Sequence, residues 1–298
     1  MRRPAWRRLT HTPGMAAGVA GLAAVLVIAV AADVLAPADP LRTGAHPLQP
    51  PSWRHPMGTD DLGRDLWANV AHGARASLLV GGLSTALATL VGVAAGALAG
   101  LYGRVWDEAL MRLAEVFHVV PRVLVAFLLI ALFGGSLWTL VAVIAVTGWP
   151  AVARVIRSEV LSLRERDFAL AARALGASDG RLLRRHVLPN AFPPVLISLP
   201  LQVGRAILLE SGLSFLGLGD PGVASWGRLL QSAQGYMRDA WWLALFPGLA
   251  LTLTVLAIAL VAEAWHLRSA PALVGYLRHE RAPRPATPEA GRVAEAAG

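Results

Sequence analysis

The chain has 298 residues, of which 55% are apolar and 15% charged, and its mean hydropathy is +0.54. A soluble globular chain is about 45–50% apolar and about 25% charged, so the composition excludes an ordinary soluble domain and an intrinsically disordered chain and favours a polytopic membrane protein. All 27 basic residues are arginine and no cysteine occurs, which excludes mechanisms that need a P-loop lysine, a Schiff base, a disulfide or a thiolate.

Six stretches are apolar enough to cross a bilayer, for which a helix needs about 20 mostly apolar residues. The sequence therefore predicts an all-α membrane protein with six transmembrane helices. The predicted spans cover residues 15–35, 77–102, 107–133, 137–156, 191–216 and 241–264. In the second span, Gly92, Gly96 and Gly100 form a strip where two helices can touch backbone to backbone, and the partner helix belongs either to this chain or to another subunit.

The arginines orient these spans. With the N-terminus in the cytoplasm, the inner segments hold nineteen arginines and the outer segments hold six, which is a positive-inside bias. We expect a multi-pass protein of the cell (inner or cytoplasmic) membrane, with both termini in the cytoplasm. The net charge of +8 is not taken as a sign of nucleic-acid binding. The expected segments are a cytoplasmic tail over 1–14, the first transmembrane helix over 15–35, an extracytoplasmic segment over 36–76, a five-helix core over 77–267 and a disordered cytoplasmic tail over 268–298.

The extracytoplasmic segment is expected to contain an interfacial helix over residues 60–73. Carboxylates at its start suit the positive end of a helix dipole, and an apolar face follows at helical spacing. Two interpretations stay open: a structural collar, or a gate or contact for a substrate-delivery protein. The candidate residues for that contact are Asp60, Asp61, Arg64 and Asp65. His55 has no partner at ligand spacing, so no metal site is predicted.

The longest inner connection, residues 157–190, is expected to form a helical hairpin. Phe168, Ala171, Ala172 and Leu175 recur at helical spacing. Gly176 suits the left-handed position just past a helix end. A second helix over 180–187, capped by Ser178 or Asp179 and ended by Pro189, completes the hairpin. The alanine-rich stripe is suited to docking another backbone; a solvated basic loop is the alternative.

Charged residues inside spans are costly and normally face a cavity or a partner. Arg205 and Glu210 lie in the fifth span, and at least one is expected to face a central pathway, with pairing to a neighbouring subunit as the alternative. On the third span, Glu115, His118 and Arg122 share a polar face that is expected to be solvated at the cytoplasmic boundary.

Three passages resemble one family. Ala171-Ala172-x-x-x-Gly176 followed by Leu188-Pro189 is similar to the Glu-Ala-Ala loop of ATP-binding cassette (ABC) importer permeases. Residues 55–65 and the passage from Glu210 to Gly227 resemble the C-type subunit of the dipeptide/oligopeptide/nickel branch. Leu170 departs from the pattern, because the family's loop usually has glutamate there.

The resemblance implies a type I ABC importer permease fold, with the hairpin coupling this subunit to ATPases. The implied coupling residues are Phe168, Ala171, Ala172, Leu175, Gly176, Leu188 and Pro189. The implied partners are a second homologous permease subunit, two ABC ATPase subunits, an extracytoplasmic substrate-binding protein and the lipid bilayer. Without lysine no Walker A motif exists, so the chain is expected to be neither an ATPase nor another enzyme and to need no cofactor. The expected cargo is dipeptides or oligopeptides, with nickel, or proton-coupled secondary transport using Glu210 or Glu263, as alternatives.

Overall fold

The computed structural model describes residues 13–280, with side chains over residues 14–266. The described chain is helical, as the sequence predicts. Its helices are α1 (Pro13–Val30), α2 (Ala32–Leu35), α3 (Leu66–Tyr102), α4 (Arg104–Val119), α5 (Arg122–Phe133), α6 (Leu137–Leu163), α7 (Asp167–Ala174), α8 (Asp179–Leu182), α9 (Leu188–Ala191), α10 (Pro193–Leu213), α11 (Trp226–Ala233) and α12 (Trp242–Glu280).

Four of these helices are long and apolar enough to cross a membrane: α3, α6, α10 with the π-helical turn that extends it to Leu218, and α12 over Trp242–His266. A fifth span results if α4 and α5 count as one bent pair. The predicted first span is broken, because α1 ends at Val30 after 18 residues and the separate four-residue helix α2 follows it. The described residues therefore show four or five spans by length, compared with the six that the sequence predicts.

The predicted third span is not one straight helix. α4 and α5 meet at an angle of 93°, and Val120, between them, has extended backbone angles (φ −82°, ψ 129°). The cause is Pro121, whose ring disfavours the helical conformation in the residue before it. The break places the start of α5, at Arg122, beside Gly148 in the middle of α6.

The predicted interfacial helix over residues 60–73 is wrong. The helix begins at Leu66 and continues without interruption for 37 residues to Tyr102. Residues 58–65 instead form turns with Gly58 and Gly63 at positive φ, and the carboxylate of Asp65 caps α3 by accepting a 3.0 Å hydrogen bond from Ala68 N–H. The start of the predicted disordered tail also differs, since α12 extends to Glu280; the rest of that tail and residues 1–12 lie outside the described residues.

The glycine strip of α3 packs against α6 of the same chain. A Cβ atom added at Gly92 would stand 2.7 Å from the carbonyl oxygen of Trp149, and one added at Gly100 would stand 3.1 Å from that of Arg157. Such approaches are possible only without side chains. The question left open by the sequence is therefore answered in favour of an intrachain helix pair.

The bundle has two distinct ends. At the hairpin end, Arg164 after α6 donates a 2.8 Å hydrogen bond to the carbonyl of Gly100 near the end of α3, and α7–α9 follow. At the loop end, residues 36–65 and α11 cover the opposite tips of the helices. There Trp242 Nε1–H donates to the carbonyl of Thr59 at 3.2 Å. The membrane-spanning segments separate the two ends.

Candidate translocation and coupling sites

The hairpin is anchored to the bundle by buried apolar side chains. Ala169 of α7, Leu182 of α8 and Val187 are fully buried in a core that they share with Ile156 and Val160 of α6. This burial fixes the hairpin to the end of α6.

The turn of the hairpin has the predicted glycine conformation. Gly176 has φ +83°, and a side chain added there would meet nothing within 4 Å. α8 begins at Asp179, one residue before the predicted start, and Ser178 holds the N-cap position but its side chain makes no capping hydrogen bond. The second half differs from the predicted helix over 180–187, because α8 has four residues and a π-helical turn, Leu183–Val187, leads into α9. Pro189 lies within the first turn of α9, where a missing N–H is tolerated, and so it does not end the hairpin.

α7 and the residue after it expose several apolar side chains, beside the exposed charged residues Asp167 and Arg173. Phe168, Leu170 and Leu175 are exposed large apolar side chains, and Leu175 is 89% exposed. Ala171 and Gly176 lie on the exposed side, Pro189 is exposed on α9, and Ala172 and Leu188 pack towards the core. The predicted coupling residues are thus divided between an exposed contact face and an inner packing face. Leu170, in place of glutamate, makes the exposed face more apolar.

The two predicted pathway residues lie in different environments. Arg205 lines a cavity between α3, α5, α6 and α10, together with Arg122. The other lining residues are Ser84, Thr85, Ala88, Ile144, Gly148, Ala151, Gln202, Ala206 and Leu209. The sequence predicts Arg122 at a solvated boundary, but the bend at Pro121 places it in the same cavity as Arg205. Pro121-Arg122 ahead of an apolar run was the signal for this.

Glu210 does not line that cavity. It is 1% exposed, and its carboxylate accepts hydrogen bonds from the hydroxyls of Ser214 (2.8 Å), Ser77 (3.2 Å) and Ser211 (3.3 Å). The bond from Ser77 joins α10 to α3. The surroundings of Glu210 support a packing role rather than contact with a passing solute.

The passage after Glu210 fixes α11 to the bundle. Ser225 caps α11, and Trp226 is buried with its indole N–H donating to the carbonyl of Val70 at 3.0 Å. Gly227 lies against the backbone of Ser211 so closely that no side chain fits. These three residues therefore hold the loop end against α3 and α10.

At the loop end, three of the four predicted contact residues lie together. Asp60, Asp61 and Arg64 line a cavity with Arg228 and Ser232. Asp60 accepts hydrogen bonds from the backbone N–H of Leu62 (2.9 Å) and Arg64 (2.7 Å). Burial raises the pKa of the Asp60 carboxyl, because desolvation disfavours its charged form.

Asp65, the fourth residue, has a structural role. Its carboxylate caps α3 and also accepts a 2.7 Å hydrogen bond from the Nδ1 atom of His55. Over the part of the chain whose side chains are described, no group of three His, Asp or Glu residues could hold a metal ion.

Comparison with known proteins assigns the family. The family described as "Binding-protein-dependent transport system inner membrane component" matches residues 92–274, more than half of the chain. The chain belongs to this family. The permease is similar to a Brucella suis protein named as a candidate peptide permease protein, with 44% identity over 72% of each chain. It is also similar to the dipeptide transport system permease protein DppC of Alkalihalophilus pseudofirmus, with 35% identity over 88% of this chain and 86% of that protein.

The fold agrees with this assignment. A solved chain of the inward-facing MetNI methionine ABC transporter matches 68% of the permease and 95% of its own length, with a TM-score of 0.53 and 17% identity. At that identity the likeness concerns the fold alone. The permease therefore has the fold of an ABC importer membrane subunit and belongs with relatives named for peptide transport.

Proposed function

We propose that the permease is one of two homologous membrane subunits of an ABC importer that carries dipeptides or oligopeptides across the cytoplasmic membrane. In this proposal separate ATPase subunits dock on α7–α9, and an extracytoplasmic binding protein delivers the peptide at the loop end. The observation that carries the proposal is the apolar face of α7, exposed on a hairpin that is anchored to the end of α6.

The proposed topology has six spans, with α1 and α2 contributing the first and the bent pair α4–α5 the third. Both chain ends and the hairpin then lie in the cytoplasm. The arginine distribution supports this arrangement. Exposed large apolar residues on a cytoplasmic hairpin need a protein partner, since a patch left in water favours association.

The energy source must lie outside this chain. It has no lysine and hence no Walker A motif. ATP-driven closure of the docked ATPases would push α7–α9, and the buried contacts with α6 would pass that displacement to the bundle. The pathway would then alternate between inward and outward openings by rigid-body movement.

A crosslinking experiment tests the docking. Because the chain has no cysteine, a Leu175→Cys variant carries a single thiol on the exposed face of α7. In the assembled complex, a short reagent with a thiol-reactive group at one end and a photoreactive group at the other is expected to join this thiol to an ATPase subunit. The matched control is Trp53→Cys, an exposed position at the loop end, which is expected to give no ATPase adduct.

Adducts from Leu175→Cys that contain no ATPase subunit, in a complex that co-purifies with its ATPases, would contradict the proposed coupling role of the hairpin.

A further inference from the structure

Two arginines share one cavity inside the bundle. Arg122 begins α5 and Arg205 lies on α10, and both line the cavity between α3, α5, α6 and α10. Each guanidinium carries a full positive charge, so one cavity is lined by two like charges. Within the described part of the chain, neither guanidinium has a hydrogen bond or an ion pair. The cavity therefore concentrates uncompensated positive charge.

The depth of the cavity makes this charge significant. Ser84 and Thr85 lie near the middle of α3, Gly148 near the middle of α6, and Arg205 beyond the middle of α10. Both arginines are exposed in the single chain. An arginine at mid-depth costs at least about 2.5–3.5 kcal/mol when it faces lipid, so charged groups there normally face water or a polar partner. The face that carries them is accordingly expected to border an aqueous route.

The bend at Pro121 and the glycine at position 148 position Arg122 in the cavity. The break at Pro121 turns α5 so that its N-terminal end, which is the positive end of a helix dipole, lies at Arg122. Gly148 leaves space for the guanidinium, since a Cβ atom there would stand 3.3 Å from an Nη atom of Arg122. A side chain at position 148 would therefore crowd the end of the arginine side chain.

The other polar groups of the cavity are neutral. Ser84, Thr85 and Gln202 line it, and no Asp or Glu is among the lining residues that the structure describes. Glu210, the acidic residue of α10 that could have balanced Arg205, accepts its hydrogen bonds from serines in another part of the bundle. A cavity with two guanidinium groups and no carboxylate is complementary to an anion, and guanidinium matches a carboxylate with two parallel hydrogen bonds.

We propose that Arg122 and Arg205 form a carboxylate subsite in the translocation pathway, which receives the C-terminal carboxylate of the transported peptide. The inference rests on the proposed peptide-importer function. An anion held between the two arginines relieves their mutual repulsion, and every peptide with a free C-terminus supplies one regardless of its side chains. The subsite would thus serve cargo of varied sequence.

The test uses the complete transporter in lipid vesicles, with its second permease, ATPases and binding protein, and with ATP on the ATPase side. The probes are radiolabelled alanyl-alanine and its C-terminal amide. In Arg122→Cys and Arg205→Cys variants, uptake of alanyl-alanine is expected to fall about tenfold, which corresponds to one lost charge-assisted contact. Uptake of the amide is expected to change less than about twofold. The same binding protein delivers both peptides to every variant, so its selectivity cancels in the ratio of variant to wild-type rates.

Chemical rescue separates charge from shape. The chain has no other thiol, so aminoethyl methanethiosulfonate restores a positive charge only at the substituted position, whereas the methyl reagent restores only bulk. The aminoethyl reagent is expected to recover alanyl-alanine uptake and the methyl reagent is not. Wild-type complex treated with the same two reagents controls for thiols of the partner subunits. Arg112→Cys, which removes an exposed arginine that pairs with Glu108 outside the cavity, is expected to behave as wild type.

Equal loss of both peptides in the two variants, without rescue by the positive reagent, would show that the arginines hold the subunits together and would overturn the subsite. Unchanged alanyl-alanine uptake would overturn it as well. Lack of ATP-dependent uptake of either peptide by the wild-type complex is a different result, because it contradicts the proposed function on which the subsite rests.

Discussion

At the scale of single residues, Arg205 and Glu210 show what the sequence can predict about charged residues in a membrane helix. Both are charged residues in an apolar helix, and the sequence marks each as expensive to bury. Only the packing of the other helices tells them apart. Glu210 lies where α3 and α10 bring serine hydroxyls together, whereas Arg205 faces a cavity beside Arg122. The cost of burial identifies candidate residues but does not show which neighbours compensate it.

The serine hydroxyls around Glu210 lead to a prediction about stability. Glu210→Ala removes their common acceptor and leaves a cavity, so we expect a loss of about 2–4 kcal/mol in the free energy of unfolding. Glu210→Gln keeps the volume and one acceptor oxygen and should cost less. Thermal unfolding of the purified complex, followed by tryptophan fluorescence, measures the difference.

Glu263→Ala is the matched control, because this glutamate is exposed on α12 and its removal is expected to leave the unfolding temperature nearly unchanged. Full stability of Glu210→Ala combined with loss of peptide uptake would contradict the packing role and return Glu210 to the pathway.

At the scale of helices, the sequence predicts contacts better than it predicts breaks. The Gly92, Gly96 and Gly100 strip indicates a close helix partner, and α6 is that partner. The bend between α4 and α5 was not predicted, because hydropathy averaged over 107–133 does not register one proline. The start of α3 was also misplaced: Asp60 and Asp61 have the composition of a helix start, but Asp65 makes the capping bond.

Gly96 and Gly82 offer a matched pair of substitutions on α3. A Cβ atom at Gly96 would overlap the carbonyl of Ala153, whereas one at Gly82 would meet nothing within 4 Å. Gly96→Ala is therefore expected to destabilise the permease by about 1–3 kcal/mol through overpacking. Gly82→Ala is expected to be neutral or to stabilise by up to about 1 kcal/mol, because alanine favours a helix over glycine.

Thermal unfolding of both variants in the same detergent measures this contrast. Equal unfolding temperatures for the two variants would show that α3 and α6 are not packed as closely as described.

At the scale of the whole molecule, the sequence predicts the class and the family but not the complete architecture. Apolar content and arginine distribution indicate a polytopic helical protein, and the passages around residues 171–190 and 210–227 indicate the ABC importer permeases, to which the chain belongs. The presence of Arg122 and Arg205 in one cavity could not be predicted, because it depends on the bend at Pro121 and on helices that are distant in sequence.

Two faces that are exposed on the single chain are suited to contacts with other subunits. α7 presents apolar side chains at the hairpin end, and the cavity face presents arginines at the middle of the bundle. In the proposed function, an ATPase covers the first face, and the second face borders an aqueous route shared with a second permease. The proposed function accordingly makes this chain one part of a larger complex.

Peptide uptake into sealed vesicles, driven either by ATP or by a pH gradient, tests this account most directly. Vesicles that contain the permease with its second subunit, ATPases and binding protein are expected to accumulate labelled dipeptide when ATP is supplied to the ATPases. Vesicles that contain the permease alone are expected to accumulate none under a pH gradient. Accumulation by the permease alone, driven by protons and independent of ATP, would contradict the account and show a secondary transporter.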